Sequence, residues 1–231
     1  MTAKPRSKPA LYYEFRVSLG AASLLPLLGL PAFALLQWLF VLRMGIEVEQ
    51  YELLRAFELV LPLSAGLAVA HLMTVEREAG MEELRSSYPE APWRLPAART
   101  LIAFVLAGAV LLVGVGGFRL VFGSVPWHEL IPPALPPALF LLGLSLLAGN
   151  LTGSYWLAAA LVLGYWFFEL QTRGEITEVF FLFQHSRPLE GIDYDLNRRL
   201  LAGLGVLFLV LNAGWSARRK RGKGWRPRGD R

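Results

Sequence analysis

Long apolar runs separated by short polar stretches dominate the chain, and their spacing predicts an all-α membrane protein with about six transmembrane helices. The first run covers 17–42, bracketed by Arg16 and Arg43. It is too long for a signal-peptide core and lacks a small-residue cleavage site, so it reads as a retained helix, kinked by Pro26 and Pro31. Glu47, Glu49, Glu52 and Arg55 form a polar connection to a second run over about 56–75, which carries Glu58, Pro62 and His71. The third run, 100–122, is interrupted only by Arg119. Residues 123–133 read as a loop with Trp127 and His128, and the fourth run, 134–152, has Pro136 and Pro137 in its first turn, where proline is tolerated. A Gly153–Ser154 turn leads to the fifth run, 155–170, and the sixth covers 200–215. At ~1.5 Å rise per residue, runs of this length reach across most or all of a ~30 Å hydrocarbon core.

The connections differ in character. The N-terminal segment 1–16 begins with a polar, basic stretch over 1–9, and the Tyr, Phe and Arg residues of 11–19 suit a short interfacial helix. Residues 76–99 are the most charged part of the body of the chain. The extracytoplasmic segment 171–199 contains the very apolar Val179, Phe180, Phe181, Leu182 and Phe183. A re-entrant or interfacial helix fits that stretch, and so does plain packing against the bundle. Gly108, Gly114, Gly116 and Gly117 keep the third helix narrow, and Gly149 and Gly153 permit either close helix approach or a turn.

Composition agrees with the pattern. The chain has 231 residues, 55% of them hydrophobic and 18% charged, against about 25% charged in an ordinary soluble domain. Cysteine is absent, which excludes disulfides, thiolate metal sites and a cysteine nucleophile. The net charge of +5 is unevenly spread: eight of the 23 basic residues lie in the last 14 positions, making 216–231 a basic tail. Beside an apolar helix such a tail fits anionic lipid headgroups better than nucleic acid. With six crossings the basic residues divide 16 to 7 between the two sides, which places both termini in the cytoplasm of a bacterial-type inner membrane.

Catalytic motifs are missing from the sequence. The only Gly-Lys pair, Gly222–Lys223, is followed by Gly224 where a phosphate-binding loop needs Ser or Thr, and Ala217 stands where its first glycine belongs. His71, His128 and His185 lie on three separate segments and form no H-E-x-x-H pair. Glu82 and Glu83 resemble the paired glutamates of CAAX-type membrane proteases, but Arg85 follows at the wrong spacing. Ser64, Ala65 and Gly66 are only a fragment of a serine elbow.

The charged connection between the second and third runs carries the most information. Met81, Leu84 and Tyr88 give one apolar edge to a short charged helix over about 76–88, and Pro89, Pro92 and Pro96 stop helix formation before the third run. The same spacing fits a solvated loop. Glu76, Arg77, Glu78, Gly80, Glu83, Leu84 and Pro89 fall close to the pattern E-(R/K)-E-x-G-T-x-E-x-L-x-x-x-P. On these residues the chain resembles the permeases of ABC-2 type transporters, in which that pattern joins the second and third crossings. Met81 replaces the usual threonine.

The resemblance implies a single permease domain over 1–231, working as an exporter, with no cofactor of its own. ATP and magnesium would be bound by a separate ATP-binding subunit. The working unit would hold two such ATPases and a second permease copy or a paralogue, embedded in membrane lipids. A cytoplasmic coupling helix formed by Glu76, Arg77, Glu78, Gly80, Met81, Glu82, Glu83, Leu84 and Tyr88 would dock on the ATPase. An intramembrane protease-like enzyme and a non-transporting scaffold subunit are the alternatives. Ionisable residues within spans are costly and often functional, so Glu58, Arg119 and Glu169 are candidates for an outer gate or substrate path, with Glu58 and Arg119 on neighbouring helices and able to pair.

Overall fold

In a computed structural model the described residues are 21–44, 50–75, 94–123 and 126–223. They are helical throughout, with turns between and no strand among them. A short helix α1 (Ala21–Leu24) passes through a 3₁₀ turn (Leu25–Leu28) into α2 (Gly29–Met44). Pro26 lies in that turn, so the expected break in the first run is a change of helix type. There follow α3 (Gln50–Val69), α4 (Arg94–Phe122), α5 (Trp127–Thr152), α6 (Tyr155–Thr172) and α7 (Tyr194–Lys223). The expected interfacial helix over 11–19, the coupling residues Glu76, Arg77, Glu78, Gly80, Met81, Glu82, Glu83, Leu84 and Tyr88, and the end of the basic tail lie outside the described residues.

Among the described residues four segments are long and apolar enough to cross a membrane: Leu25–Arg43, Arg94–Phe122, Trp127–Thr152 and Tyr194–Ser216. The chain is a multi-pass membrane protein on that count. The remaining two long helices, α3 and α6, carry Glu52, Arg55 and Glu58, and Glu169, which dilute their hydropathy.

Three element boundaries differ from those expected. Helix α5 begins at Trp127, seven residues before the expected 134, and holds Pro132, Pro133, Pro136 and Pro137 inside it. Burial of Leu130, Pro133, Ala134 and Pro137 against the bundle outweighs the local cost of proline. Helix α4 starts at Arg94, with Pro96 in its first turn rather than ahead of it. The amide that proline lacks there has no intrahelical partner in any helix. Helix α3 starts at Gln50 and gives way after Val69 to tight turns over 70–74.

The bundle is ordered by two kinds of contact. Large side chains fill the core on one side, where Phe57 of α3 packs at a tilt against Phe118 of α4, ring centres 4.8 Å apart, and meets Trp127 of α5 edge-on at 6.1 Å. Small residues let backbones touch on the other. A Cβ on Gly143 of α5 would lie 2.6 Å from the carbonyl oxygen of Gly205 on α7. Gly114 and Gly117 of α4 play the same part against Leu30 and Pro31 of α2, whereas Gly108 and Gly116 face open space. The outside is apolar, with Trp38 and Phe40 of α2, Leu112 of α4 and Trp156 of α6 exposed as lipid-facing residues would be.

These contacts define two ends. Val69, Leu72 and Met73 pack with Ile102, Ala103 and Leu106, so the last turns of α3 and the first of α4 share one end. The Gly153 turn and the later part of α7 lie there too, because Asn150 reaches Asn212 and Ser216. Glu58, the α6–α7 connection and the first turn of α7 occupy the other end.

Candidate functional site

At that second end the chain between α6 and α7 folds inward. Residues 173–193 form turns and a single 3₁₀ turn (Glu178–Phe180), so the apolar stretch is neither an interfacial nor a re-entrant helix. Phe181, Leu182 and Phe183 are fully buried. They pack among Leu59 and Leu63 of α3, Phe140 and Leu141 of α5, Val162 and Trp166 of α6, and Leu201 of α7. Three apolar side chains thus fill a space between four helices, and the burial of each favours the fold by about 1.5–3 kcal/mol.

A non-helical segment among apolar helices leaves its peptide groups in need of partners. Side chains supply them. Asn197, at the start of α7, donates both amide hydrogens, to the carbonyls of Val179 at 2.8 Å and Phe181 at 2.9 Å. Arg198 donates to the Leu182 carbonyl at 3.1 Å. Gln184 donates weakly to the carbonyls of Leu189 and Ile192, and the Tyr51 hydroxyl donates to the Ser186 carbonyl. Tyr165 donates to the Phe180 carbonyl at 3.2 Å.

Glu58 is the centre of this arrangement. It projects from α3, fully buried, and each carboxylate oxygen accepts a backbone N–H, one from His185 at 3.0 Å and one from Ser186 at 2.7 Å. The Arg198 guanidinium completes the set with a direct ion pair to the same carboxylate. Arg198 is itself held over the Tyr194 ring, 5.0 Å from its centre. A buried carboxylate with two amide donors and a guanidinium is well compensated; with any one removed it is not. The hydrogen-bond ladder of α3 lacks a donor just beyond. Pro62 offers no N–H to the Glu58 carbonyl, and the neighbouring carbonyl of Leu59 accepts the Trp166 indole N–H at 2.8 Å.

The structure therefore joins Glu58 to Arg198, not to Arg119. Arg119 lies on the exposed side of α4, turned away by the burial of its neighbour Phe118 against Phe57. Glu169 is also fully buried, and it holds a different part of the same connection, accepting from the Thr177 hydroxyl at 3.0 Å. Of the three candidates, two anchor the inward-folded connection and one does not.

No local sequence pattern singles out Arg198, Asn197 or Gln184. Asn197 and Arg198 are polar residues in the first turn of an apolar helix, yet they read as part of an outside connection. A second polar set was equally silent. At the opposite end Asn150 of α5 donates to the Asn212 side chain at 2.8 Å and to Ser216 at 2.7 Å, both on α7. In sequence Asn150 draws notice only as part of a glycosylation-like triplet with Thr152. Among the described residues no group of His, Asp and Glu side chains could hold a metal ion. In comparisons with known proteins, no family model, no curated protein and no solved structure matches the chain.

Proposed function

We infer that this chain is the membrane-spanning subunit of an ABC-2 type ATP-driven transporter, working as an exporter with a separate ATP-binding subunit. The observation that carries the reading is the charged stretch from Glu76 to Pro89, with its acidic residues, Gly80, Leu84 and terminal proline at family-like spacing. The described residues on either side support it. The turns after α3 and the start of α4 share the end of the bundle towards which α7 runs before the basic tail. A stretch hung from that end is available to a cytoplasmic partner when the basic tail is cytoplasmic.

In this reading the chain crosses the membrane six times, α3 and α6 being the two further crossings. Helices of 20 and 18 residues span roughly 30 and 27 Å at ~1.5 Å per residue. Their costly residues Glu58 and Glu169 are turned into the protein rather than towards lipid. Two copies, or a copy and a paralogue, with two ATPases make the working unit. The cargo is apolar in part, a lipid-like or peptide molecule, in keeping with a bundle poor in central charges.

The test is biochemical. The chain is co-expressed with a candidate ABC-type ATPase subunit from the same source and purified in lipid nanodiscs. A stable complex whose ATP hydrolysis depends on this chain is the expected result. An ATPase that neither binds the chain nor changes its rate in its presence would overturn the assignment.

A further inference from the structure

Phe181, Leu182 and Phe183 fill the space between α3, α5, α6 and α7 at one end of the bundle, and Gln184 and Ser186 beside them are buried. Their hold is unusual in kind. Apart from apolar contact, the segment is held to α3 by Glu58 and the Tyr51 hydroxyl, to α7 by Asn197 and Arg198, and to α6 by Glu169, which faces the Leu182 amide. The flanking backbone offers pivots. Gly174 and Gly191 both adopt left-handed conformations, with φ of 81° and 80°, one on each side of the segment. Gly174 also sits so close to Phe181 that a Cβ there would lie 2.5 Å from its ring, which seats the first aromatic directly on the pivot.

We propose that residues 181–186 are a detachable plug that closes this end of the bundle, and that Glu58 is the latch that seats it. The His185 and Ser186 amides and the Arg198 guanidinium together form an anion receptor that the chain fills with its own carboxylate. Movement of α3 at Pro62, one turn beyond Glu58, where the helix lacks a backbone donor, withdraws the carboxylate from three donors at once. The plug then swings out on Gly174 and Gly191 as a unit, opening the space between the four helices at the end opposite the start of α4. The inference rests on the transporter reading for its purpose, but the latch itself belongs to the chain alone.

Hydrogen exchange on the full chain in lipid nanodiscs tests it. In the native protein, amides 181–186 are expected to exchange together and well ahead of those of α3, α5 and α7. Glu58→Gln is expected to speed that group at least tenfold while the α5 amides change less than twofold. Exchange of 181–186 only in step with the helices overturns the plug, and that result needs no variant to fold. A Glu58→Gln effect spread evenly over the bundle overturns the latch. With the ATPase bound, ATP turnover is expected to raise exchange of the same six residues, and an unchanged rate during turnover overturns the gating role. Absence of any ATPase partner would instead count against the transporter assignment, leaving the two measurements on the isolated chain to decide the latch.

Discussion

Glu58 and Arg198 stand 140 positions apart in the chain and meet as a buried ion pair, with the carboxylate also accepting the amides of His185 and Ser186. Removing one partner strands the other. Arg198→Met is expected to cost about 3–5 kcal/mol because the Glu58 charge is left buried. The double variant Glu58→Gln with Arg198→Met is expected to recover most of that loss, because no unpaired charge remains and both replacements are close in volume. Unfolding in graded detergent, run as a double-mutant cycle, gives the coupling directly. Additive losses would mean that the two side chains do not depend on each other.

How much of this was legible beforehand depends on the kind of signal. The helices show as apolar runs, and the end of α5 was readable because Gly153 takes the left-handed conformation that closes a helix, with φ of 70°. The start of α5 was not, because four prolines argue locally for a stop and only burial against α3 and α7 overrules them. The inward-folded connection was half readable. Its apolar residues announce burial, but apolar residues in a membrane protein suggest a helix, and the side chains that free Phe181 from being helical are distant ones. Asn197, Arg198 and Glu58 satisfy its backbone from 16, 16 and 127 or 128 positions away. No local pattern contains that information. The charged residues from Glu76 to Tyr88 are the reverse case, conspicuous in sequence and outside the described residues.

Packing of α5 on α7 gives a sharp contrast between glycines. At Gly143 a methyl group would meet the Gly205 carbonyl, a backbone atom that cannot step aside. Gly143→Ala is therefore expected to destabilise the bundle by about 1–3 kcal/mol. Gly116 on α4 faces open space, so Gly116→Ala removes backbone freedom without a clash and is expected to be neutral or to stabilise by up to ~1 kcal/mol. Thermal unfolding of the two variants side by side checks the pair. Equal effects would show that the α5–α7 approach is looser than it stands here.

Asn150 bridges α5 to Asn212 and Ser216 on α7 within a mostly apolar surround. Interhelical hydrogen bonds in membrane proteins average about 0.6 kcal/mol and reach about 1.7. Asn150→Leu is expected to cost about that much in the same unfolding assay, with the partner Asn212 left unsatisfied. A variant more stable than the parent would mean that the apolar replacement packs well enough to make the polar bridge dispensable.

The coupling assignment makes a prediction independent of the bundle. Leu84→Glu and Glu78→Lys change the apolar edge and the acidic face of the 76–88 stretch, far in sequence from the Glu58 anchor. Each is expected to abolish stimulation of the partner ATPase while the chain keeps the unfolding midpoint of the parent. Stimulation equal to that of the parent would show that this stretch is a connecting loop and no lever.

Six crossings require both α3 and α6 to span the membrane, and the absence of cysteine allows a direct test of α6. Ser154 lies in the turn before α6 and Arg187 in the connection after it. If α6 crosses, a single cysteine introduced at position 154 and one introduced at position 187 stand on opposite faces of the membrane. A thiol reagent that cannot pass the bilayer, applied to intact cells, is then expected to label the Arg187→Cys protein and to spare Ser154→Cys, which reacts only after the membrane is opened. Labelling of both from the same face would leave α6 on one side and reduce the bundle to fewer crossings. Position 187 is also only one residue from Ser186, whose amide binds Glu58, so the orientation obtained fixes which side of the membrane the Glu58–Arg198 pair faces.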